Sequence, residues 1–396
     1  MKRIIFLFTI VFLITNNAPS LFAQMVFSGV MDTSVSMQAG AGINPDFSCG
    51  MEQFANIRFQ SRFRDNGRIE GAVNLFAVTG DYAANAAWMA DYKNTEGITP
   101  PGLNATPLIA GENYAAGLEL ERLFFRLNFE KFDLDGGLMR VPFGYSHVWG
   151  SMDFLNPPNP LKPDSRPRGV MGSVLTWHLT DNLKIAGFGV TPRDPLTRDG
   201  SGGFVGITAE QSYVNTGFQG LYSYEMPDTG SKFGIHRVGL SVKADIEANF
   251  IIDALYTYNH EIETALDGLS FNAGVDYSLF SGDLFVLVEY LYNGSSSSTA
   301  RNFGGFLSNE HYLSANFTWM FDFTSISLAL ICGLNDISFL PVLSVNYELF
   351  QGANLSVIAQ FPMDRDLFAG NGKFGELGPA KTGNYFNLTT RFKFRF

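Results

Sequence analysis

The sequence predicts an all-β protein, a transmembrane antiparallel β-barrel of 16 to 18 strands. Residues 385 to 396 alternate strictly, and successive side chains of a strand point to opposite faces. Its apolar face carries Phe386, Leu388, Phe392, Phe394 and Phe396. Charged residues make up only 16% of the chain, against about 25% in ordinary soluble chains. After the N-terminal segment, no uncharged apolar run is long enough for a transmembrane helix, and a closed barrel is the other way to cross a bilayer.

The opposite face of this last strand is polar and cationic, with Asn387, Arg391, Lys393 and Arg395. A strand of this kind would invite aggregation if its edge stayed unpaired. An alternating aromatic strand that closes on Phe396 resembles the C-terminal signature of Gram-negative-type outer-membrane β-barrel proteins of the porin type. The resemblance implies that the last strand pairs with the first, and that the protein resides in the cell outer membrane. It also implies two partners, the outer-membrane lipid and the barrel assembly machinery.

The N-terminus predicts export. Lys2 and Arg3 precede the apolar run from Ile4 to Ile14, and Ala23 ends a small-residue cleavage site, so residues 1–23 are predicted to be a signal peptide. A membrane anchor is the alternative, although the run is short for a span. Residues 24–396 show no linker and are predicted to form a single transmembrane β-barrel domain. Without residues 1–23 the formal charge is −13, which argues against nucleic acid as a partner.

The number of strands follows from counting alternating segments. Strands are predicted at residues 25–38, 51–63, 68–79, 114–130, 132–143, 169–179, 183–191, 211–224, 234–245, 248–259, 269–280, 284–293, 309–321, 326–333, 339–349, 354–362 and 384–396. This count is odd, whereas a single-chain bacterial barrel needs an even number. Counting loops from both ends places the error between residues 192 and 268. Either residues 204–209 form an additional strand, giving eighteen, or two predicted strands are one, giving sixteen; we favour eighteen.

The connections predict the orientation, because barrels of this class have short periplasmic turns and long extracellular loops. Asp65-Asn66-Gly67 is a tight turn, whereas residues 81–112 lose the alternation and predict a long loop. In the strand at 114–130 the apolar phase changes near Glu121, which predicts a β-bulge.

The segment from Gly144 to Arg168 is rich in proline, which cannot continue a strand ladder. It is the third long loop, and this position resembles the constriction loop of general porins, which folds into the lumen. Its candidate residues are Tyr145, Trp149, Asp153, Asn156, Asp164, Arg166 and Arg168. The alternative is a rigid surface loop packed on the rim.

Cationic side chains at inward positions are the candidate channel-lining residues. They are Arg58, Arg62, Arg64, Arg126, Arg391, Lys393 and Arg395. Rows of such side chains bias a pore toward anions. The alternative is that lumen acids such as Glu52, Glu70 and Glu289 pair with them and only satisfy the wall.

Catalysis is not predicted, and neither is a cofactor or a metal site. The five histidines, His147, His178, His236, His260 and His311, fall on separate elements without the spacing of metal ligands. Cys49 and Cys332 are too few for a disulfide framework.

The predicted function is a porin-like channel for passive diffusion of small polar solutes or ions, since a barrel of 16 to 18 strands leaves an aqueous lumen. The alternative is a surface-exposed adhesin or structural barrel with a blocked lumen. An outer-membrane hydrolase is a third reading, which the scattered histidines disfavour. Homo-oligomerisation is possible.

Overall fold

The computed structural model describes residues 25–40, 47–63, 66–80, 107–111, 113–161, 169–191, 203–227, 233–260, 266–294, 307–365, 375–382 and 384–396. The predicted signal peptide lies outside these residues, as does most of the predicted loop at 81–112.

Most of the described residues lie in strands. The strands are β1 (Val26–Gly40), β2 (Phe47–Phe63), β3 (Gly67–Gly80), β4 (Pro107–Ala110), β5 (Tyr114–Asn128), β6 (Phe132–Met139), β7 (Val170–Thr180), β8 (Leu183–Val190), β9 (Phe204–Tyr213), β10 (Thr216–Glu225), β11 (Ile235–Asp245), β12 (Asn249–Tyr258), β13 (Leu269–Leu279), β14 (Leu284–Asn293), β15 (His311–Phe321), β16 (Thr324–Gly333), β17 (Ser338–Phe350), β18 (Ala353–Gln360) and β19 (Asn384–Arg395). A turn of α-helix, α1 (Pro379–Thr382), precedes β19, and a 3-10 turn, Phe280–Gly282, connects β13 to β14. Within the described ranges, no helix is long and apolar enough to cross a membrane.

Eighteen of these strands form a closed antiparallel ring in chain order, and the short β4 lies beside the upper part of β5. The ring closes where β1 pairs with β19. At this seam the backbone N–H of Gly29 donates to the carbonyl of Phe396 at 2.8 Å, and the N–H of Phe396 donates back at 3.1 Å. The predicted barrel, its closure by the last strand and the count of eighteen are therefore confirmed.

The two faces of the wall differ in exposure as the alternation predicts. Phe27 and Met31 of β1 are 62% and 54% exposed, whereas Ser34, on the other face, is 8% exposed. Directly opposed residues of neighbouring antiparallel strands share a face, so the pairing carries this assignment around the ring. The apolar face points outward to lipid, and the polar face points into the lumen.

Aromatic side chains mark both ends of the outer face. Toward the long loops, the hydroxyl of Tyr222 lies 2.9 Å from Nδ1 of His236, and that of Tyr290 lies 2.7 Å from Nδ1 of His311. Toward the short turns, Trp319 and Phe321 stack at 5.6 Å between ring centroids. Rings with a polar tip are suited to the membrane interface.

The connections confirm the predicted asymmetry. In the described strand order, connections at one end span two to four residues, and those at the other end reach thirty residues between β6 and β7. The short-turn end also carries the β1–β19 seam at Gly29 and Phe396. It is therefore the periplasmic end.

The strand predicted at 211–224 is wrong. Residues 204–213 are β9 and residues 216–225 are β10, and the two form a hairpin across Val214 and Asn215. The strand predicted at 132–143 also ends earlier, at Met139, because the chain turns inward there. The predicted loop at 81–112 contains the short strand β4.

The predicted bulge at Glu121 is confirmed by the register. Ala72 opposes Arg122 and Val73 opposes Leu120, so Glu121 is the additional residue on β5. Before the bulge the odd-numbered residues of β5 face the lumen, and after it the even-numbered residues do. The outward face thereby stays apolar on both sides of it.

Candidate functional site: the barrel lumen

Residues 140–161, here called the lumen segment, leave the wall at β6 and lie against inward-facing side chains of β10, β12, β14 and β15. Its residues from Gly144 onward are the described part of the segment from Gly144 to Arg168, which the sequence predicts to be either a constriction loop or a rim loop; residues 162–168 lie outside the described residues. Hydrogen bonds to these side chains define the path of the lumen segment across the inner wall.

Two wall carboxylates hold consecutive backbone N–H groups of the lumen segment. The two oxygens of Asp253 on β12 accept from Tyr145 at 3.2 Å and from Ser146 at 3.0 Å. Those of Glu289 on β14 accept from His147 at 2.7 Å and Val148 at 3.0 Å. Both carboxylates are fully buried. Hydrogen bonds to an ionised acceptor are the stronger kind, so these two residues fix the backbone of four successive residues.

Gly144 begins this run for a steric reason. Its φ is +83°, and a Cβ there would lie 2.5 Å from Oδ2 of Asp253. Its N–H donates to Oε1 of Gln219 on β10 at 2.7 Å. Glycine is the residue that permits both the positive φ and the close approach.

Apolar packing holds the lumen segment on both sides of Trp149. Met152 and Leu155 are buried in a cluster with inward residues of the wall from β6 to β12. The cluster contains Met139, Val141, Phe143, Met152, Leu155, Val170, Phe188, Val190, Phe204, Leu221 and Leu255. On its edge, the guanidinium of Arg237 lies 4.8 Å from the ring centroid of Phe154 and donates to Glu225 at 2.8 Å.

Trp149 anchors the second cluster. It is fully buried, its Nε1 donates to the carbonyl oxygen of Glu289 at 3.3 Å, and its ring lies 5.5 Å from that of Tyr312 on β15. The cluster consists of Trp149, Leu291, Leu307, Tyr312, Ile331, Leu340 and Leu377. It covers the inner wall from β14 to β17.

Asp153 and Asn156 form a local turn inside the lumen segment. Asp153 accepts from the N–H of Asn156 at 3.0 Å, and the side chain of Asn156 accepts from the N–H of Val141 at 2.9 Å. Burial raises the pKa of Asp153 to about 7, and the charge of Asp253 adds to the effect, although the Asn156 N–H and the Arg140 guanidinium oppose it. Asp153 is thus a buried acid that titrates near neutral pH.

The cationic candidates lie on the opposite arc of the wall, mostly beside acids. Arg126 contacts both oxygens of Asp135, at 2.5 and 2.7 Å, and Nε of Arg391 lies 3.2 Å from Asp32. Lys393 also opposes Asp32 across the seam. Ion pairs with acids, which the sequence left as the alternative, are therefore present for Arg126 and Arg391.

The other described cationic candidates lie on β2 and β19. Nε of Arg58 donates to Oδ1 of Asn56 at 2.7 Å. Arg62 is exposed and opposes Arg68, which in turn opposes Arg126. Arg395 opposes Val30 near the periplasmic end. Arg64, Asp164, Arg166 and Arg168 lie outside the described residues.

Sequence reasoning missed the wall residues that hold the lumen segment. Asp253 and Gln219 were not singled out, and Glu289 was considered only as a partner for arginines. A signal was available for Asp253, which is an acid at an inward position between Ile251 and Leu255. An inward acid among apolar residues indicates a buried partner, because a buried carboxylate has to be hydrogen-bonded.

The histidines do not converge. His178 is inward on β7, 2.9 Å from Asp133, while Nε2 of His147 lies 3.3 Å from Oδ2 of Asp276. His260 packs on Phe233. No group of three or more potential metal ligands occurs among the residues that the structure describes. Cys49 and Cys332 are not bonded to each other.

Comparison with solved structures gives whole-chain matches to barrels of Acinetobacter baumannii. The chain is similar to OccAB4 at 12% identity and a TM-score of 0.55, over 94% of this chain and 98% of that one. It is similar to OccAB1 at 12% identity and a TM-score of 0.52, over 94% and 96% of the two chains. For OccAB3 the identity is 10% and the TM-score 0.50, over 94% and 99%. No protein-family model matches, and neither does any curated protein.

These similarities concern the fold, since the identities are low. With the ring of eighteen strands, the aromatic belts and the loop asymmetry, they define the chain as an outer-membrane β-barrel of the porin type. Its place is the outer membrane.

Proposed function

We propose that the protein is a channel for passive diffusion of small polar solutes or ions across the outer membrane, constricted by the lumen segment. The observation that carries the proposal is that this segment packs against only part of the inner wall. Its two apolar clusters pack against the inner wall between β6 and β12 and between β14 and β17. The arc formed by β18, β19, β1, β2 and β3 presents charged and polar side chains instead, such as Asn387, Arg391 and Glu70.

A path between the lumen segment and this polar arc has the right chemistry for hydrated solutes. A ring of eighteen strands is wide enough for an aqueous lumen even when one side is filled. The arc carries acids beside its bases, as at Asp32 and Arg391. Arg62 on β2 opposes Arg68 on β3, and Arg68 in turn opposes Arg126 on the adjacent β5. Glu70 lies 2.8 Å from Arg68 and Asp135 lies 2.5 Å from Arg126.

Planar-bilayer recording of the refolded protein tests the proposal. We expect discrete, ohmic conductance steps in potassium chloride from protein that also shows heat-modifiable migration in gels. Folded protein that inserts and yet conducts no current would overturn the channel and support the alternative, a structural barrel or adhesin with a blocked lumen.

A further inference from the structure

Three extracellular connections meet at Glu376. Glu376, in the connection between β18 and β19, accepts from the N–H of Ser308 at 2.6 Å, from the N–H of Asn309 at 3.1 Å, and from the hydroxyl of Tyr312. Ser308 and Asn309 belong to the connection between β14 and β15. One side chain therefore ties two loops together.

The third connection, between β16 and β17, is joined through the backbone. The N–H of Glu376 donates to Oδ2 of Asp336 at 2.6 Å, and the N–H of Leu377 donates to Oγ of Ser338 at 3.2 Å. The hydroxyl of Ser338 itself donates to Oδ1 of Asp336 at 2.7 Å. The backbone of Glu376 and Leu377 is thus fixed to β17 and to the turn before it.

The same two residues reach the lumen segment. The side chain of Leu377 is fully buried in the cluster of Trp149, and Tyr312 contacts Glu376 through its hydroxyl while its ring packs on Trp149. A displacement of Glu376 would therefore withdraw Leu377 from this cluster and release Tyr312 on one side. Glu376, Tyr312 and Trp149 thus form a continuous chain of contacts from the extracellular loops to the segment that we propose as the constriction.

We infer that Glu376 is a latch that couples the connection between β18 and β19 to the lumen segment, so that releasing the latch loosens the Trp149 end of the constriction. The inference rests on the proposed function for its effect on permeation, but not for the coupling itself. An ionised carboxylate suits the role because it accepts several bonds at once. Glutamine at this position offers one acceptor oxygen and turns an amide toward N–H donors.

The coupling can be measured without any current. Substituting Trp88, Trp177 and Trp319 by Phe leaves Trp149 as the single tryptophan, and acrylamide quenching then reports its exposure. We expect Glu376→Gln to raise the population of the quenchable state by roughly tenfold or more, since bonds to a charged group are lost. Tyr312→Phe removes one hydroxyl and keeps the ring, so its effect should be smaller. Glu310→Gln is the matched control, because its side chain is exposed and the ion pair it forms among the described residues is the one with His311, at 4.0 Å.

Single-channel recording of the same variants separates the two proposals. Larger or noisier openings in Glu376→Gln and unchanged openings in Glu310→Gln are expected. Unchanged quenching in Glu376→Gln and Tyr312→Phe, in protein with normal heat-modifiable migration, would overturn the latch whether or not the wild type conducts. Increased quenching in a barrel that never conducts would keep the latch and reject the channel.

Discussion

The carboxylate of Glu289 accepts the backbone N–H of His147 at 2.7 Å, although the two residues lie 142 positions apart. Together with the bond from Val148, it fastens the lumen segment to β14 in the middle of the wall. A side chain that binds backbone groups is insensitive to the identity of the residues it holds. At His147 and Val148 the contact therefore depends on Glu289 and not on the side chains of the two residues that it holds.

Replacing Glu289 by Ala should increase conductance. Hydrogen bonds to a charged group contribute roughly 1.5–3 kcal/mol each, and the substitution removes two of them and leaves two N–H groups unpaired. Glu289→Gln should have a smaller effect in the same direction. Single-channel conductance measures this. Glu348→Gln, at an inward and exposed position of β17, is the control, and equal effects at both sites would contradict the role of Glu289.

Acid pH should tighten the lumen segment. The pKa of Asp153 is about 7 in the docked segment against an ordinary value of 3.8, so the docked state binds protons more readily than the released one. Protonation of Asp153 therefore favours the segment packed on the wall. This stabilisation is full below pH 3.8 and is lost as the pH rises through 7. Conductance, recorded between pH 5 and 8, should rise with pH.

Asp153→Asn keeps an acceptor for the Asn156 N–H and cannot ionise. We expect this variant to lose the part of the pH dependence that lies near neutrality. If its conductance changes with pH as the wild type does, another group is responsible.

Reversing Arg58 and Arg62 to Glu should move the reversal potential in a salt gradient toward cations. Both positions are inward on β2, and a wall charge acts over about 8 Å at physiological salt. Assembly should be unaffected because neither side chain faces lipid. Lys131→Glu, in the turn between β5 and β6, is the control for a reversed charge outside the wall, and it should shift the potential less.

Replacing Phe392, Phe394 and Phe396 by Ser should impair insertion. The three rings belong to the outward face of β19, and each is worth roughly 1.5–3 kcal/mol when buried. Deleting Phe396 alone removes the backbone bonds with Gly29. Heat-modifiable migration measures assembly. Substituting the inward residues Asn387 and Thr389 by Ser should leave it intact, and normal assembly of the triple variant would refute the closing role of these rings.

The mature protein should begin close to Gln24, because Ala23 is the small residue that precedes the first strand. Mass spectrometry of protein extracted from outer membranes measures this. A chain that retains residues 1–23 would contradict the predicted processing.

The strands of the wall were predictable because a strand between lipid and water has apolar side chains on one face and polar side chains on the other, so the two kinds alternate in sequence. Even the break at Glu121 was visible, since a bulge changes the parity of the apolar residues. The hairpin at Val214 and Asn215 was not, because its turn lacks the Asn-Gly pattern of tight hairpins and Val214 looks like a strand residue although it is fully exposed.

The lumen was less predictable for a physical reason. An inward position on the wall accepts either a water-facing or a buried polar side chain, so alternation does not distinguish Arg62, which is exposed, from Asp253, which is buried. The partners of Asp253 in the lumen segment are backbone groups of Tyr145 and Ser146, and backbone groups leave no trace in composition. The path of the lumen segment became evident only from these distances.

The seam between β1 and β19 sets the order in which this barrel can form. Across it the hydroxyls of Ser36 and Thr389 lie 2.9 Å apart, yet the two residues are 353 positions apart in the chain. Contacts of such long range slow folding, and they cannot form before the whole chain is present. Until then the outer edges of β1 and β19 remain unpaired, which favours association with other chains. Shielding these two edges until the chain is complete should therefore reduce association with other chains more than stabilising any single hairpin.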